Sequence, residues 1–102
     1  MPVVHKRNPH DVYIGRPSKW GNPFSVEEYG RAEAIAKYEE YVLDNLRTGI
    51  WAEEELLELD GKILGCWCAP KACHGDILLK IIAGIKFYRR LGWSYTKQLQ
   101  RK

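Results

Sequence analysis

Apolar positions along the chain follow two different periods. "PVVHKR" and "DVYIGR" are short runs rich in β-branched and aromatic residues, separated by the turn-forming Asn8-Pro9-His10, and they predict the first two strands. "KILGCWC" is apolar on both faces, which predicts a third strand in a central position. Elsewhere the period is helical. Ile35, Tyr38, Val42 and Leu46 recur on one face, with acids and bases on the other. Ser25-Val26-Glu27-Glu28 reads as the capping box that opens this helix.

A break at Thr48-Gly49 separates a shorter helix around Glu53 to Leu59, ended by Asp60-Gly61. A last helix is predicted from about Gly75 to Leu91, with Ile77, Ile81, Ile85 and Tyr88 on one face. Gly84 sits inside it at a cost of about 1 kcal/mol relative to alanine, for which close packing is the reason the sequence offers.

The order β-β-α-α-β-α describes a small α/β sandwich of two or three layers on a short sheet, with a Rossmann-like half-fold as the expected architecture. Strands two and three, joined through helices, should run parallel by a right-handed crossover. Residues 1–91 form the expected single domain and 92–102 a basic C-terminal tail. In open α/β sheets ligands sit beyond the carboxyl ends of the strands. The loops after strands two and three, "RPSKWGNPF" and "CAPKACHGD", should therefore face each other across one crevice.

Composition narrows the class. With 102 residues, 45% hydrophobic and 28% charged, the chain has material for one modest core and is not disordered. Its most apolar stretch, "ILLKIIAGI", is interrupted by Lys80, so no membrane span is expected. No apolar signal core follows the basic start, and a cytoplasmic location, where thiols stay reduced, is expected.

The net charge of +3 conceals an asymmetry. Eleven acids oppose three bases between Ser25 and Asp60, whereas seven bases and no acid lie between Ile77 and Lys102. This predicts either a basic end that meets phosphates or complementary packing of the two segments.

All three cysteines fall within "GCWCAPKACHGD". Cys66, Cys68, Cys73 and His74 are an allowed tetrahedral zinc set, although the C-x-C-x4-C-H spacing departs from the usual C-x2-C knuckle. The other reading makes Cys66 a small core residue and Cys68 and Cys73 a pocket wall. His74-Gly75-Asp76 opens the last helix, whose free amides can hold an anion, and Gly75 would let a ligand approach the backbone. Cys73, His74 and Asp76 are the candidate nucleophile, acid and base, with a plain helix cap as the alternative role of Asp76. In the other loop Arg16 and Lys19 are candidate phosphate partners, Trp20 or Trp67 candidate base-stacking platforms, and Gly21-Asn22 a turn that places Asn22 to read a polar edge.

"VYIGRPSKWGNPF" followed by "LGCWCAPKACHGDIL" resembles the signature of the DUF4326 family, small domains found in phage and bacterial genomes. The resemblance spans about residues 3 to 80. It singles out Gly15, Arg16, Gly21, Asn22, Pro23, Cys66, Trp67, Cys68, Pro70, Cys73, His74, Gly75 and Asp76. It implies a phage-type protein acting in the host cytoplasm and carries no activity with it.

Three functional expectations follow. The first is a site for a nucleotide-like, phosphate-bearing small molecule between the loops, either a sequestering binder or a small transferase or hydrolase. The second is a nucleic-acid-binding module built on the basic, aromatic "KFYRRLGWSYTKQLQRK". The third is a zinc-stapled interaction domain.

Overall fold

The computed structural model describes residues 3–16, 18–66 and 73–100. Three strands, β1 (Val3–His5), β2 (Val12–Tyr13) and β3 (Leu64–Cys66), form one sheet in the order β1-β3-β2. β3 is central, as its two-sided apolarity predicts, and it runs parallel to both neighbours. Val3 pairs with Leu64 on one edge and Val12 with Leu64 on the other. Parallel strands ordinarily need a crossover of a dozen residues or more. Here β1 reaches β2 in six, because strands of three and two residues leave little length to retrace.

Among the described residues five helices accompany the sheet: α1 (Val26–Tyr29), α2 (Arg31–Arg47), α3 (Glu53–Leu57), α4 (His74–Arg90) and α5 (Tyr95–Gln100). The Ser25 hydroxyl accepts hydrogen bonds from the amides of Glu27 and Glu28, as the capping pattern predicts. The helix it opens lasts one turn. Gly30 adopts φ +82°, ends α1 and begins α2, so the single helix expected here is two. The break re-aims the chain and sets Arg31 at the head of α2.

Tyr38, Val42 and Leu46 from α2 pack with Leu64 of β3 and with Ile77, Leu78, Ile81 and Ile85 of α4 in one core. Burying a side chain of this kind is worth roughly 1.5–3 kcal/mol, so this cluster dominates stability.

Beyond Leu91 the expected tail contributes α5. Leu99 is buried, the Gln100 side chain donates to the Arg47 carbonyl, and the Tyr95 ring lies over Gly84. A β-carbon on Gly84 would come within 2.8 Å of that ring, which accounts for the mid-helix glycine.

Part of the charge asymmetry is met by internal pairing. Lys80 pairs with Glu39, Lys86 with Asp60, and Arg89 with Glu53 and Glu54. Glu53 is the most buried of these acids and also accepts from the amide and hydroxyl of Thr96, which ties α3 to α5. Burial by itself would raise its carboxyl, but the Thr96 and Arg89 hydrogen bonds outweigh that and hold it below its ordinary 4.5. A depressed carboxylate contributes stability above its unfolded-state value that is lost as pH falls through the folded-state value. The melting temperature is therefore expected to fall as the pH drops below 4.5, and less steeply in Glu53→Gln, a comparison that thermal melts across an acid series would make.

Candidate functional site

Residues fifty-eight positions apart in sequence, Arg16 and His74, line one cavity of about 300 Å³. Gly15, Arg16, Asn22 and Phe24 come from the loop after β2, and Cys66, Cys73 and His74 from the end of β3 and the start of α4. Val26, Arg31 and Ile35 close the remaining side from α1 and α2. The cavity thus stands at the carboxyl ends of β2 and β3. Phe24, Val26 and Ile35 give it an apolar wall, while Arg16, Arg31 and His74 bring polar groups.

Local chemistry fixes each part. Arg16 donates from Nε to the Asn22 carbonyl (2.7 Å), so the loop folds back on itself around the guanidinium. Asn22 holds that loop at both ends: its side-chain amide donates to the Ala34 carbonyl of α2, and its Oδ1 accepts from the Phe24 amide. A side chain on Gly21 would crowd Arg16 at 3.1 Å. Asn22 therefore acts first as the brace of the loop.

Two residues expected at the ligand lie elsewhere. Trp20 is buried with its ring 4.9 Å from that of Trp51, and its carbonyl accepts from the Tyr38 hydroxyl (2.7 Å). Lys19 pairs with Glu55 and lies over the rings of Trp20 and Trp51. Both anchor the loop to α2 and α3. Trp67 and Cys68, with Pro70, fall outside the described residues.

The head of α4 is closed by its own sequence. Cys73 is the N-cap, with its Sγ accepting from the Gly75 amide, and Asp76 Oδ2 accepts from the Cys73 amide (3.2 Å). Asp76 is thus engaged as a cap. Gly75 packs against the sheet, where a β-carbon would meet Ile14 at 2.8 Å and Val3 at 3.2 Å. It brings the helix head down onto β1 and β2.

His74 is buried, with its ring edge-on to Tyr38 at 4.9 Å. Its Nε2 lies 2.7 Å from the Ile14 carbonyl. A carbonyl can only accept, so Nε2 carries the proton and Nδ1 presents a lone pair when the ring is neutral. Burial is the main force holding the imidazole below its usual 6.5; the Arg16 charge acts in the same direction, against the Ile14 carbonyl and Asp76. Nδ1 faces Cys73 Sγ at 3.5 Å. Cys66 and Cys73 are joined as a disulfide, with Cα atoms 7.5 Å apart.

Phe24, Val26, Arg31 and Ile35 belong to the cavity and escaped the sequence reading. Arg31 left a signal. A cation in the first turn of a helix opposes the helix dipole, an arrangement that local stability does not favour.

Among the described residues no helix is long and apolar enough to cross a membrane. No solved structure matches the chain. Two viral proteins are similar to it. One, described as an uncharacterized 12.4 kDa protein in the nrdA-td intergenic region of Enterobacteria phage T4, is 36% identical over 81 residues, covering 78% of this chain and 75% of that protein. The other, uncharacterized protein R718 of Acanthamoeba polyphaga mimivirus, is 33% identical over 97 residues, covering 76% of this chain and 71% of its own. Residues 3–84 match the model of the domain of unknown function DUF4326. The two motif blocks that build the cavity lie inside that span, and the chain belongs to the DUF4326 family.

Proposed function

We propose that the protein binds a small nucleotide-like, phosphate-bearing ligand in the cavity between the 16–24 loop and the 66–76 loop. The observation that carries this reading is that two arginines from different elements, Arg16 after β2 and Arg31 at the head of α2, line one cavity together with the apolar Phe24, Val26 and Ile35. Arginine's fork suits phosphate oxygens, and Phe24 with Ile35 offers the flat, apolar surface a base requires. A volume of about 300 Å³ is at the small end of the range for ligand pockets, which favours a mononucleotide over a dinucleotide. A Rossmann-like use of the sheet, with the ligand beyond the carboxyl ends of β2 and β3, is part of the proposal.

Binding is better supported than turnover. Among the described residues Asp76 serves as a helix cap, and His74 lines the cavity as a candidate acid or base. A sequestering binder in the host cytoplasm is the form of the function we favour. The nucleic-acid reading is weaker, because Lys80, Lys86 and Arg89 of the basic segment are paired with acids.

Calorimetric titration with a panel of nucleoside monophosphates and diphosphates, and with the matching nucleosides, tests the proposal. At least one nucleotide should bind much more tightly than its nucleoside. Arg16→Ala should weaken that binding by a charge-assisted hydrogen bond of ~1.5–3 kcal/mol, about ten- to a hundredfold. Equal affinity for nucleotide and nucleoside, or an unchanged Arg16→Ala, would remove phosphate recognition from the site.

A further inference from the structure

We propose that in the reduced protein Cys66, Cys73 and His74 are ligands of one zinc ion at the edge of the cavity. All three residues are buried, and their ligand atoms lie within 4.8 Å of one another. The set is of the right kind, since two thiolates and one imidazole are preferred by a borderline-soft, tetrahedral ion.

The spacing of Cys73 and His74 agrees with one shared ion. A tetrahedral centre with Zn–S of about 2.3 Å and Zn–N of about 2.0–2.1 Å places sulfur and nitrogen roughly 3.6 Å apart. Cys73 Sγ and His74 Nδ1 are 3.5 Å apart. Two thiolates on the same ion stand roughly 3.8 Å apart, so reduction of the Cys66–Cys73 disulfide must first part the sulfurs. The Cα atoms of Cys66 and Cys73, 7.5 Å apart, lie beyond the 4.4–6.8 Å usual for a disulfide, a gap that an ion between the sulfurs would span.

An independent observation concerns the far side of the ring. A zinc-bound histidine characteristically donates its other N–H to a carbonyl or carboxylate, which fixes the tautomer and aims the lone pair. His74 Nε2 does so to the Ile14 carbonyl at 2.7 Å, leaving Nδ1 directed at the sulfurs. Charge is consistent as well. Binding displaces the two thiol protons, and the resulting thiolates cancel the ion's charge, so Arg16 and Arg31 face a neutral centre. Cys66, Cys73 and His74 all line the cavity, so the ion they hold would stand at its wall.

The test uses the full chain, purified under a thiol-free reductant, stripped with chelator and titrated with zinc against a chromophoric competitor. Cobalt(II) serves as a spectroscopic substitute. About one zinc per chain should bind, cobalt should give the intense visible bands of a tetrahedral thiolate site, and Cys73→Ser and His74→Ala should each weaken zinc binding at least tenfold. Circular dichroism establishes that the variants are folded. If either is not, the titration and cobalt spectrum of the unsubstituted chain decide alone. Reduced protein that takes up no zinc, or octahedral cobalt spectra without thiolate bands, would overturn the proposal. Because metal uptake is read without any nucleotide, its failure leaves the nucleotide reading standing, and the reverse holds equally.

Discussion

Tyr38→Ala should lower the stability of the protein by about 3–5 kcal/mol, on the order of 20 °C in melting temperature for a domain of this length. Tyr38 is fully buried and among the largest side chains that are. It reaches three parts of the molecule. The ring contributes to the core that α2 shares with α4, its face receives the His74 ring at 4.9 Å, and its hydroxyl donates to the Trp20 carbonyl. Burial raises the phenol far above its ordinary value, so the hydroxyl remains a donor at any pH at which the fold is stable. Tyr38→Phe separates the contributions, since it keeps the ring and leaves the Trp20 carbonyl without that donor. It should cost about 1–3 kcal/mol. Chemical denaturation of both variants checks the order. A loss of less than about 1 kcal/mol in Tyr38→Ala would mean that α2 does not bind the two loops to the core in this way.

Removing both cavity arginines, Arg16→Ala with Arg31→Ala, should weaken nucleotide binding by roughly 3–6 kcal/mol, or two to four orders of magnitude, if their contributions add. They come from different elements, so a ligand gripped by both is fixed in position as well as in charge. A shortfall from additivity would show that they grip the same oxygens. Because Arg16 also holds the Asn22 carbonyl, circular dichroism and thermal melts of the variants accompany the titration, so that a loss of loop structure is told apart from a loss of phosphate contact. Titration of the double variant against each single one measures the coupling. Deleting residues 92–102 is a poor control for this experiment, since α5 buries Leu99 and supplies Thr96 to Glu53.

Local signals in the sequence carried the parts of the fold that depend on near neighbours. The apolarity of "KILGCWC" gave its central place, and Ser25 with its following glutamates gave a helix start that the hydroxyl indeed caps. The rule that ligands gather at strand carboxyl ends predicts that Arg16 and His74 share one crevice, and both line the cavity. Features that depend on distant partners were hidden. Whether Trp20 stacks on a ligand or enters the core depends on Trp51, and whether Lys19 is available depends on Glu55. Gly30 looked like one more helical position, because a glycine's positive φ leaves no trace in periodicity. Asp76 could be a cap or a catalytic group with the same residue at the same place, and the sequence does not show that its carboxylate meets the Cys73 amide.

The strand order has a consequence for how the molecule comes into being. β1 and β2 are made first, yet each finds its ladder on β3, whose Leu64 pairs with Val3 sixty-one positions away and with Val12 fifty-two away. While the chain emerges from a ribosome, α1, α2 and α3 can form as local structure, but the sheet has no intermediate version with two strands. It must appear when β3 inserts between two waiting edges, and the cavity, whose floor begins at Cys66, is completed in that step or later. Closing such distances is entropically slow, so the apolar edges of Val3, Val12 and Ile14 stay exposed through most of synthesis. Their brevity, three and two residues, limits what they can pair with wrongly in the meantime.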